Sequence, residues 1–274
     1  MPSPGRVLIT GARSGLGRAA ALLFAEQGHR VYATMRDPRQ GEEAAGRHGR
    51  GVIHVLPLDV RDRDSVDAAL AATAELGGEP DTVVLNAGVE LQGPVESLDP
   101  ADLRWQLETN LFGALTVVQA VLPGMRRRGS GRLVFVSSIV GRVARPLLGG
   151  YCASKFALEG LAEALHLETR HLGIHVSLLE PGRFPSELGG RARRAAWEGA
   201  GADPYASVRA GLAGSLDRLE PPGYAPEVSM VAQALLELAT DPEPPLRKLV
   251  GDDALYTGRL VSRGGFGEYA ALFG

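Results

Sequence analysis

Short apolar runs of the length of a β-strand alternate along this chain with longer segments whose apolar residues recur at helical spacing. Most of these runs are unbroken, which is typical of parallel strands that are buried on both faces. We predict strands at 6–10, 30–34, 52–58, 82–86, 132–137, 174–180 and 247–251. Because strands and helices alternate, the sequence predicts an α/β fold: one doubly wound sheet of about seven parallel strands with helices on both faces.

The length of 274 residues fits one large domain, and the sequence contains neither an internal repeat nor a linker. We predict helices at 16–27, 63–76, 101–128, 151–171 and 226–240, and a single domain over 1–274. The segment 182–223 fits this pattern poorly because it is rich in Gly, Pro, Arg and Ala. It follows the sixth strand at the edge of the sheet where ligands bind, so we predict that it is a lid over the substrate.

Composition excludes several classes of protein. Apolar residues make up 45% of the chain, which is too many for a disordered protein. The net charge of −3 gives no basic field for nucleic acid or an anionic membrane surface. No apolar run reaches the roughly 18–20 residues of a membrane span, and the N-terminus lacks a signal-peptide pattern. With one cysteine and six unclustered histidines, we expect no internal disulfide, no metal and a cytoplasmic location.

A glycine-rich turn joins the first predicted strand to the first predicted helix. Glycine lets the backbone turn tightly and approach a phosphate closely, and the helix N-terminus offers free N–H groups and a positive dipole. Strand, turn and helix together therefore predict a dinucleotide-binding site. Its candidate residues are Gly11, Arg13, Ser14, Gly15, Leu16 and Gly17.

This turn resembles the signature T-G-x-x-x-G-x-G of the short-chain dehydrogenase/reductase family, which is matched at Thr10, Gly11, Gly15 and Gly17. The resemblance covers residues 5–185 well and the remainder loosely, and it implies a Rossmann-type nicotinamide enzyme. Arg183 departs from the family pattern, which often has a proline there. The remaining cofactor-binding residues that the resemblance implies are Asp59 and Val60 at the adenine, and Asn86, Ala87, Gly88, Lys155, Pro181, Gly182, Phe184 and Ser186.

The end of the second predicted strand bears on the choice of nicotinamide cofactor. NAD-binding folds place an acidic residue against the ribose 2′-hydroxyl about 20 residues after the glycine turn. Here Arg36 stands at the strand end, and Arg13 lies in the turn itself. Two guanidinium groups suit a 2′-phosphate, so we predict NADP(H) as the cofactor. The neighbouring acid, Asp37, keeps NAD(H) as the alternative.

Tyr151 and Lys155 are four residues apart in a predicted helix and therefore share one face. A nearby ammonium favours the phenolate, so we expect Lys155 to lower the pKa of Tyr151 and to make it a general acid and base. The family resemblance assigns the same pair to catalysis. It adds Ser138, whose hydroxyl binds the substrate oxygen, and Asn110, which holds a water that leads toward the lysine.

The residues at 31–37 and 151–161 resemble the steroid and retinol dehydrogenase branch of the family. This resemblance implies reduction of a bulky, mostly apolar ketone or aldehyde, such as a steroid, retinoid or polyketide, or the reverse oxidation. Folds host many functions, so a catalytically idle NADP-binding regulator and a related lyase or epimerase remain alternatives. Members of the family commonly associate through their long helices, which implies a homodimer or homotetramer.

Overall fold

A parallel sheet lies at the centre of the computed structural model, which describes residues 5–185, 187–221 and 223–273. In these ranges the strands are β1 Arg6–Thr10, β2 Arg30–Met35, β3 Gly46–His48, β4 Gly51–Pro57, β5 Thr82–Leu85, β6 Leu91–Gln92, β7 Gly131–Val136, β8 Ile174–Pro181, β9 Arg193–Arg194 and β10 Arg247–Val250. Eight of them form one sheet in the order β10-β8-β7-β5-β1-β2-β4-β3, and β6 pairs with β9 in a small second sheet.

The predicted doubly wound sheet is confirmed, and every predicted strand is present within one residue of its predicted ends. The seven predicted strands are parallel, whereas the added edge strand β3 is antiparallel to β4. The sequence prediction missed β3 because it has only three residues and no apolar run. The direction of winding reverses between β1 and β5, so a crevice opens there at the carboxyl ends of the strands.

Helices cover both faces of the sheet, as predicted. They are α1 Gly15–Glu26, α2 Arg63–Leu76, α3 Pro100–Leu107, α4 Gly113–Arg128, α5 Gly149–Thr169, α6 Glu187–Gly190, α7 Ala206–Asp217, α8 Val228–Thr240 and α9 Asp252–Ala270. Side chains alternate between the faces along β1, so Ile9 packs with Phe24 and Leu235 of α1 and α8, whereas Leu8 packs on α2, α4 and α5. Each face therefore has its own apolar core.

The helices differ from the prediction in three places. The predicted helix 101–128 is α3 and α4 joined by a π-helical turn at Glu108–Phe112, which a 3.6-residue pattern cannot reveal. The sequence prediction also missed α9. The segment 182–223 contains α6, β9 and α7, which is more regular structure than its weak pattern indicated. In α7, Gly211 and Gly214 interrupt the apolar spacing of Leu212 and Leu216 and lower the helix propensity.

A cluster of charged side chains is buried where α5, β8 and β10 meet. Glu180 on β8 is fully buried, and Glu159 on α5 is nearly so. Arg247 Nε lies 3.0 Å from Glu159 Oε2 and 3.4 Å from Glu180 Oε1, while Arg142 Nη1 lies 3.4 Å from Glu180 Oε2. Burial, followed by repulsion from Glu159, raises the pKa of Glu180 to about 7.

We predict that Glu180→Gln changes the pH dependence of stability. A carboxyl whose pKa is raised in the folded state stabilises the fold at low pH, and this contribution is lost as pH rises toward the folded-state value of about 7. The amide mimics the protonated acid. The free energy of unfolding of the variant, relative to that of the wild type, should therefore rise by on the order of 2 kcal/mol between pH 5 and pH 8. Urea unfolding at each pH measures this difference.

Glu163→Gln is the matched control, because Glu163 Oε2 binds the same Arg247 at 2.7 Å from an exposed position. Its ion pair with Arg247 lowers the pKa of Glu163. Glu163→Gln should therefore not raise the free energy of unfolding relative to the wild type as pH rises to 8. Parallel stability profiles for Glu180→Gln and the wild type between pH 5 and pH 8 would contradict the account.

Candidate active site

One cavity of about 950 Å³ lies at the crevice between β1 and β5. Its floor is formed by residues at the carboxyl ends of β1, β2, β4, β5, β7 and β8, and its roof by α9 and described residues of the segment 182–223. The role of this segment as a lid stays a prediction, and we call it the lid segment below. This is the position at which doubly wound sheets bind their ligands. The cavity therefore brings together residues that are far apart in sequence.

The glycine turn is fastened to the end of β5. Asn86 Nδ2 donates hydrogen bonds to the carbonyls of Thr10 (2.9 Å) and Gly11 (3.1 Å), while Thr10 Oγ1 accepts from the N–H groups of Asn86 (2.9 Å) and Ala87 (3.0 Å). A Cβ on Gly17 would lie 2.5 Å from Asn86 Nδ2 and 2.7 Å from the Gly11 carbonyl oxygen. Glycine is thus required at position 17 because the two loops touch.

Almost all predicted cofactor-binding residues line this cavity. They are Gly11, Arg13, Ser14, Gly15, Leu16, Arg36, Asp59, Val60, Asn86, Ala87, Gly88, Lys155, Pro181, Gly182 and Phe184. Gly17 does not line it and instead packs behind the turn. The predicted Ser186 lies outside the described residues.

The turn fits a pyrophosphate by its shape and its donors. Gly11 and Gly15 have φ values of +67° and +55°, a conformation that favours glycine, and a Cβ on Gly11 would lie 2.9 Å from Ala87 Cα. Ser14, the N-cap of α1, makes no side-chain capping hydrogen bond within the described part of the chain. The first N–H groups of the helix are therefore free of a side-chain cap beside the cavity.

The adenosine end of the cavity carries positive charge. Arg36 is exposed at the end of β2, and Arg13 donates to Gln40 Oε1 at 2.7 Å. Asp37 does not stand free, because Arg39 binds its carboxylate through Nε (2.9 Å) and Nη2 (3.0 Å) and lowers its pKa. Asp37, the acid that kept NAD(H) as the alternative cofactor, is thus already paired with Arg39.

Asp59, which the resemblance places at the adenine, is held by its neighbour Arg61. The guanidinium donates through Nη2 to Asp59 Oδ2 at 2.7 Å and through Nε to Oδ1 at 3.1 Å. This ion pair lowers the pKa of Asp59. The carboxylate therefore stays ionised at the cavity wall beside Val60.

Three of the four predicted catalytic residues meet at the inner wall of the cavity. Tyr151 and Lys155 lie on one face of α5 and are both buried. Lys155 Nζ donates to the Val136 carbonyl at 2.8 Å and lies 5.5 Å from the centre of the Tyr151 ring. Ser138 follows β7, and its Oγ donates to the Pro181 carbonyl at 3.3 Å. The geometry thus groups an acid, a cation and a hydroxyl at one place.

The pKa values of this pair differ from the sequence expectation. Burial raises the pKa of Tyr151, with repulsion from Glu90 adding to the rise, and burial lowers the pKa of Lys155 to about 8. The pKa of Tyr151 is therefore shifted upward, opposite to the direction expected from Lys155, and desolvation of the phenol is the largest cause. Tyr151 is a neutral proton donor near neutral pH, and Lys155 carries its charge up to about pH 8.

The fourth residue, Asn110, does not line the cavity. It is buried in the π-helical turn, where Nδ2 donates to the Val89 carbonyl (2.9 Å) and to Ser154 Oγ (3.0 Å) and Oδ1 accepts from the Val89 N–H (2.8 Å). Asn110 thus connects the loop after β5 to α5. Its role in holding a water stays a prediction.

The sequence prediction missed a carboxylate that fixes the loop after β8. Asp253 on α9 accepts from the Arg183 N–H at 2.7 Å and from the Tyr224 hydroxyl at 3.3 Å. A Cβ on Gly182 would lie 2.0 Å from Asp253 Oδ1. The usual proline has no N–H to donate, so Arg183 supplies a contact that the family pattern lacks. Its guanidinium binds Glu220 in the lid segment at 2.8 Å.

The other side of the cavity is apolar. Its lining side chains from the loop after β7, the lid segment and α9 are Ile139, Val140, Val143, Leu188, Leu216, Leu219 and Tyr269. Arg193 of the lid segment stacks on Trp105, with its guanidinium carbon 3.7 Å from the ring centre, and β9 pairs with β6. These contacts join distant segments, so no local sequence pattern could predict them.

Comparison with known proteins identifies the family. The short chain dehydrogenase family model matches residues 6–197. The chain belongs to the short-chain dehydrogenase family. Retinol dehydrogenase 8 of Bos taurus is 37% identical over 257 residues, which cover 90% of this chain and 81% of that protein. Estradiol 17-beta-dehydrogenase 1 of Rattus norvegicus is 45% identical over 184 residues, which cover 64% of this chain and 53% of the rat protein.

A solved structure supports the same assignment. The short-chain dehydrogenase from Streptomyces avermitilis superimposes with a TM-score of 0.82 at 30% identity, over 98% of this chain and 97% of that one. This short-chain dehydrogenase is thus an NAD(P)-dependent oxidoreductase that acts on alcohol and carbonyl groups. Within the described ranges, no helix has the length and apolar character to cross a bilayer.

We predict that Gly17→Ala weakens nicotinamide cofactor binding at least tenfold. The new methyl group would collide with Asn86 Nδ2 and the Gly11 carbonyl, so the turn would separate from the end of β5. Binding of NADPH and NADH is measured by fluorescence titration, and circular dichroism checks that the variant is folded.

Gly160→Ala is the matched control, because a Cβ there meets nothing within 4 Å. It lies within α5, where alanine is the better helix former, so fold and cofactor affinity should be kept. Unchanged affinity in a folded Gly17→Ala variant would refute the role assigned to this turn.

Proposed function

We propose that the chain is an NADPH-dependent carbonyl reductase, and in reverse an alcohol dehydrogenase, for a bulky, mostly apolar ketone or aldehyde. The observation that carries this proposal is the continuity of one cavity. The cavity runs from the glycine turn, past Ser138, Tyr151 and Lys155, to an apolar wall formed by the lid segment and α9. Cofactor and substrate can therefore meet at the buried tyrosine.

The residues present fit a nicotinamide dinucleotide. The glycine turn and the N-terminus of α1 would hold its pyrophosphate, and Arg13 and Arg36 would hold a 2′-phosphate by charge-assisted hydrogen bonds. The pairing of Asp37 with Arg39 supports NADPH over NADH, because a paired acid is a weaker acceptor for a ribose hydroxyl. When bound, NADPH supplies the hydride.

The protein side of the reaction is proton transfer. Ser138 and Tyr151 line the cavity, and their hydroxyls would donate hydrogen bonds to the substrate oxygen, which aligns the carbonyl. Tyr151 is protonated because burial raises its pKa, so it gives its proton to the oxygen as negative charge develops there. The Lys155 ammonium stabilises the resulting phenolate in a buried site, where charges interact strongly.

The substrate class follows from the far wall of the cavity. Leu216, Leu219 and the ring of Tyr269 offer an apolar surface to the body of a substrate. Two relatives are named for retinol and estradiol, which are both alcohols with extended apolar bodies. The exposed Phe112 and Phe156, the latter on α5, support the expected homodimer or homotetramer. The cytoplasmic location stays a prediction.

We predict that Tyr151→Phe lowers turnover at least a hundredfold while NADPH affinity changes less than threefold. The change removes the proton donor but keeps the buried ring, and loss of general acid catalysis typically costs 10²–10⁴-fold. The assay follows NADPH consumption with a panel of steroid, retinoid and aryl ketones, alongside NADH for comparison.

The matched control is Tyr256→Phe, which removes a hydroxyl from an exposed tyrosine on α9 and should leave turnover unchanged. Substrate reduction by Tyr151→Phe at the wild-type rate would overturn the assigned mechanism. Faster wild-type turnover with NADH than with NADPH would overturn the cofactor assignment alone.

A further inference from the structure

Six arginines line the active-site cavity, and most of them are already paired. They are Arg13, Arg36, Arg61, Arg145, Arg183 and Arg191. Four of these form ion pairs: Arg13 and Arg191 with Glu187, Arg61 with Asp59, and Arg183 with Glu220. Within the described ranges, Arg36 and Arg145 form no ion pair with a carboxylate. Arg36 and Arg145 are therefore the two cavity arginines without an ion pair in the described residues. Arg13, whose contact with Glu187 is long at 3.4 Å, would be shared between Glu187 and the 2′-phosphate.

These two arginines stand at different ends of the cavity. Arg36 follows β2 at the adenosine end, where the proposed function gives it a 2′-phosphate. Arg145 lies in the loop just before α5, where its N–H donates to Cys152 Sγ at 3.5 Å and its carbonyl accepts from the Leu148 N–H at 3.3 Å. Cys152 is adjacent to Tyr151, so the loop is anchored beside the catalytic phenol. The cofactor phosphate cannot account for Arg145.

The surroundings of Arg145 make an unpaired cation costly. The residue is partly buried, and its Nε is a buried donor for which the described residues provide no hydrogen-bond acceptor. The neighbouring cavity wall is apolar and includes Val143, Leu219 and Tyr269. Burial raises the pKa of both Tyr151 and Tyr269, and the positive charge of Arg145 partly offsets that rise for each phenol. Arg145 thus lines the cavity in which the substrate must lie and carries its charge close to the phenol of Tyr151.

The carboxylates at the cavity have partners of their own. Asp59 and Glu187 are bound by arginines, and Asp253 accepts from a backbone N–H and a tyrosine hydroxyl. Glu90 accepts a hydrogen bond from Gln92, and its charge raises the pKa of Tyr151. A protein acceptor for Arg145 is therefore missing from the described part of the cavity, and a planar guanidinium matches a carboxylate in a bidentate manner.

We propose that Arg145 binds a carboxylate carried by the substrate. The substrate is then an oxo acid: a ketone or aldehyde with an extended apolar body and an acid group remote from the reacting carbonyl. This inference rests on the proposed reductase function and sharpens its substrate class. Arg145 acts as a specificity-determining residue, since it meets the far end of the substrate and leaves proton transfer to Tyr151.

The test compares a series of methyl-ketone acids of eight to fourteen carbons with the matched 2-alkanones, in which a methyl group replaces the carboxylate. Initial rates are measured with saturating NADPH for the wild type, Arg145→Met and Arg145→Lys. For the wild type, we expect KM to be at least tenfold lower for the best keto acid than for its neutral partner. Arg145→Met should remove this preference by raising KM for the keto acid to the level of its neutral partner, and Arg145→Lys should restore part of it.

Arg209→Met is the control for the change in net charge. Arg209 lies on α7 outside the cavity and forms an ion pair with Asp203, so this variant should keep the preference for the acid. An equal effect of Arg145→Met on acid and neutral ketone, or no acid preference in the wild type, would overturn the inference and leave the reductase function standing.

A binding measurement separates the inference from the catalytic proposal. Calorimetric titration of the hydroxy acid that corresponds to the best keto acid reports affinity without turnover. If the proposed reduction failed, tighter binding of this hydroxy acid to the wild type than to Arg145→Met, by tenfold or more, would still support the carboxylate site. Equal affinity for both proteins would reject it.

Discussion

The hydrogen bonds between Asn86 and the glycine turn fix the turn at the point where the two halves of the sheet meet. They join the chain where it leaves β1 to the chain where it leaves β5, which is the point where the winding of the sheet reverses. Because the contact is between backbone and one amide, a side chain at Gly17 is excluded. The same contact leaves the N-terminus of α1 facing the crevice. The position of the glycine turn at the crevice therefore depends on one small set of polar contacts.

Burial determines the chemistry on the other side of the crevice. The phenol of Tyr151 and the ammonium of Lys155 are both nearly inaccessible to water, so each favours its neutral form more than it would in solution. A protonated tyrosine suits reduction, because the reaction needs a proton donor first. Once the proton has left, the low-dielectric surroundings strengthen the attraction between phenolate and Lys155. Desolvation thus opposes ionisation before the reaction and strengthens charge pairing after it.

The sequence predicted the parts of this structure that depend on short, local sequence patterns. The seven parallel strands appear as apolar runs, and the cofactor turn and the Tyr151–Lys155 pair have short motifs. The sequence could not predict features that arise from contacts between distant segments. Asp253 and Tyr269 on α9 reach the cavity only because α9 folds back over the sheet, and Asn110 turns inward through a π-helical turn. The direction of the Tyr151 pKa shift was also missed, since burial is not visible in the spacing of two residues.

The central claim is that one crevice binds NADPH against the glycine turn and presents its nicotinamide to Tyr151. A crystal structure of the protein with NADP⁺ tests this most directly. The account predicts the 2′-phosphate within hydrogen-bonding distance of Arg36 and Arg13, the pyrophosphate at the N-terminus of α1, and the nicotinamide ring beside Tyr151 and Lys155. A 2′-phosphate that points into solvent away from both arginines, or a nicotinamide ring far from Tyr151, would contradict it.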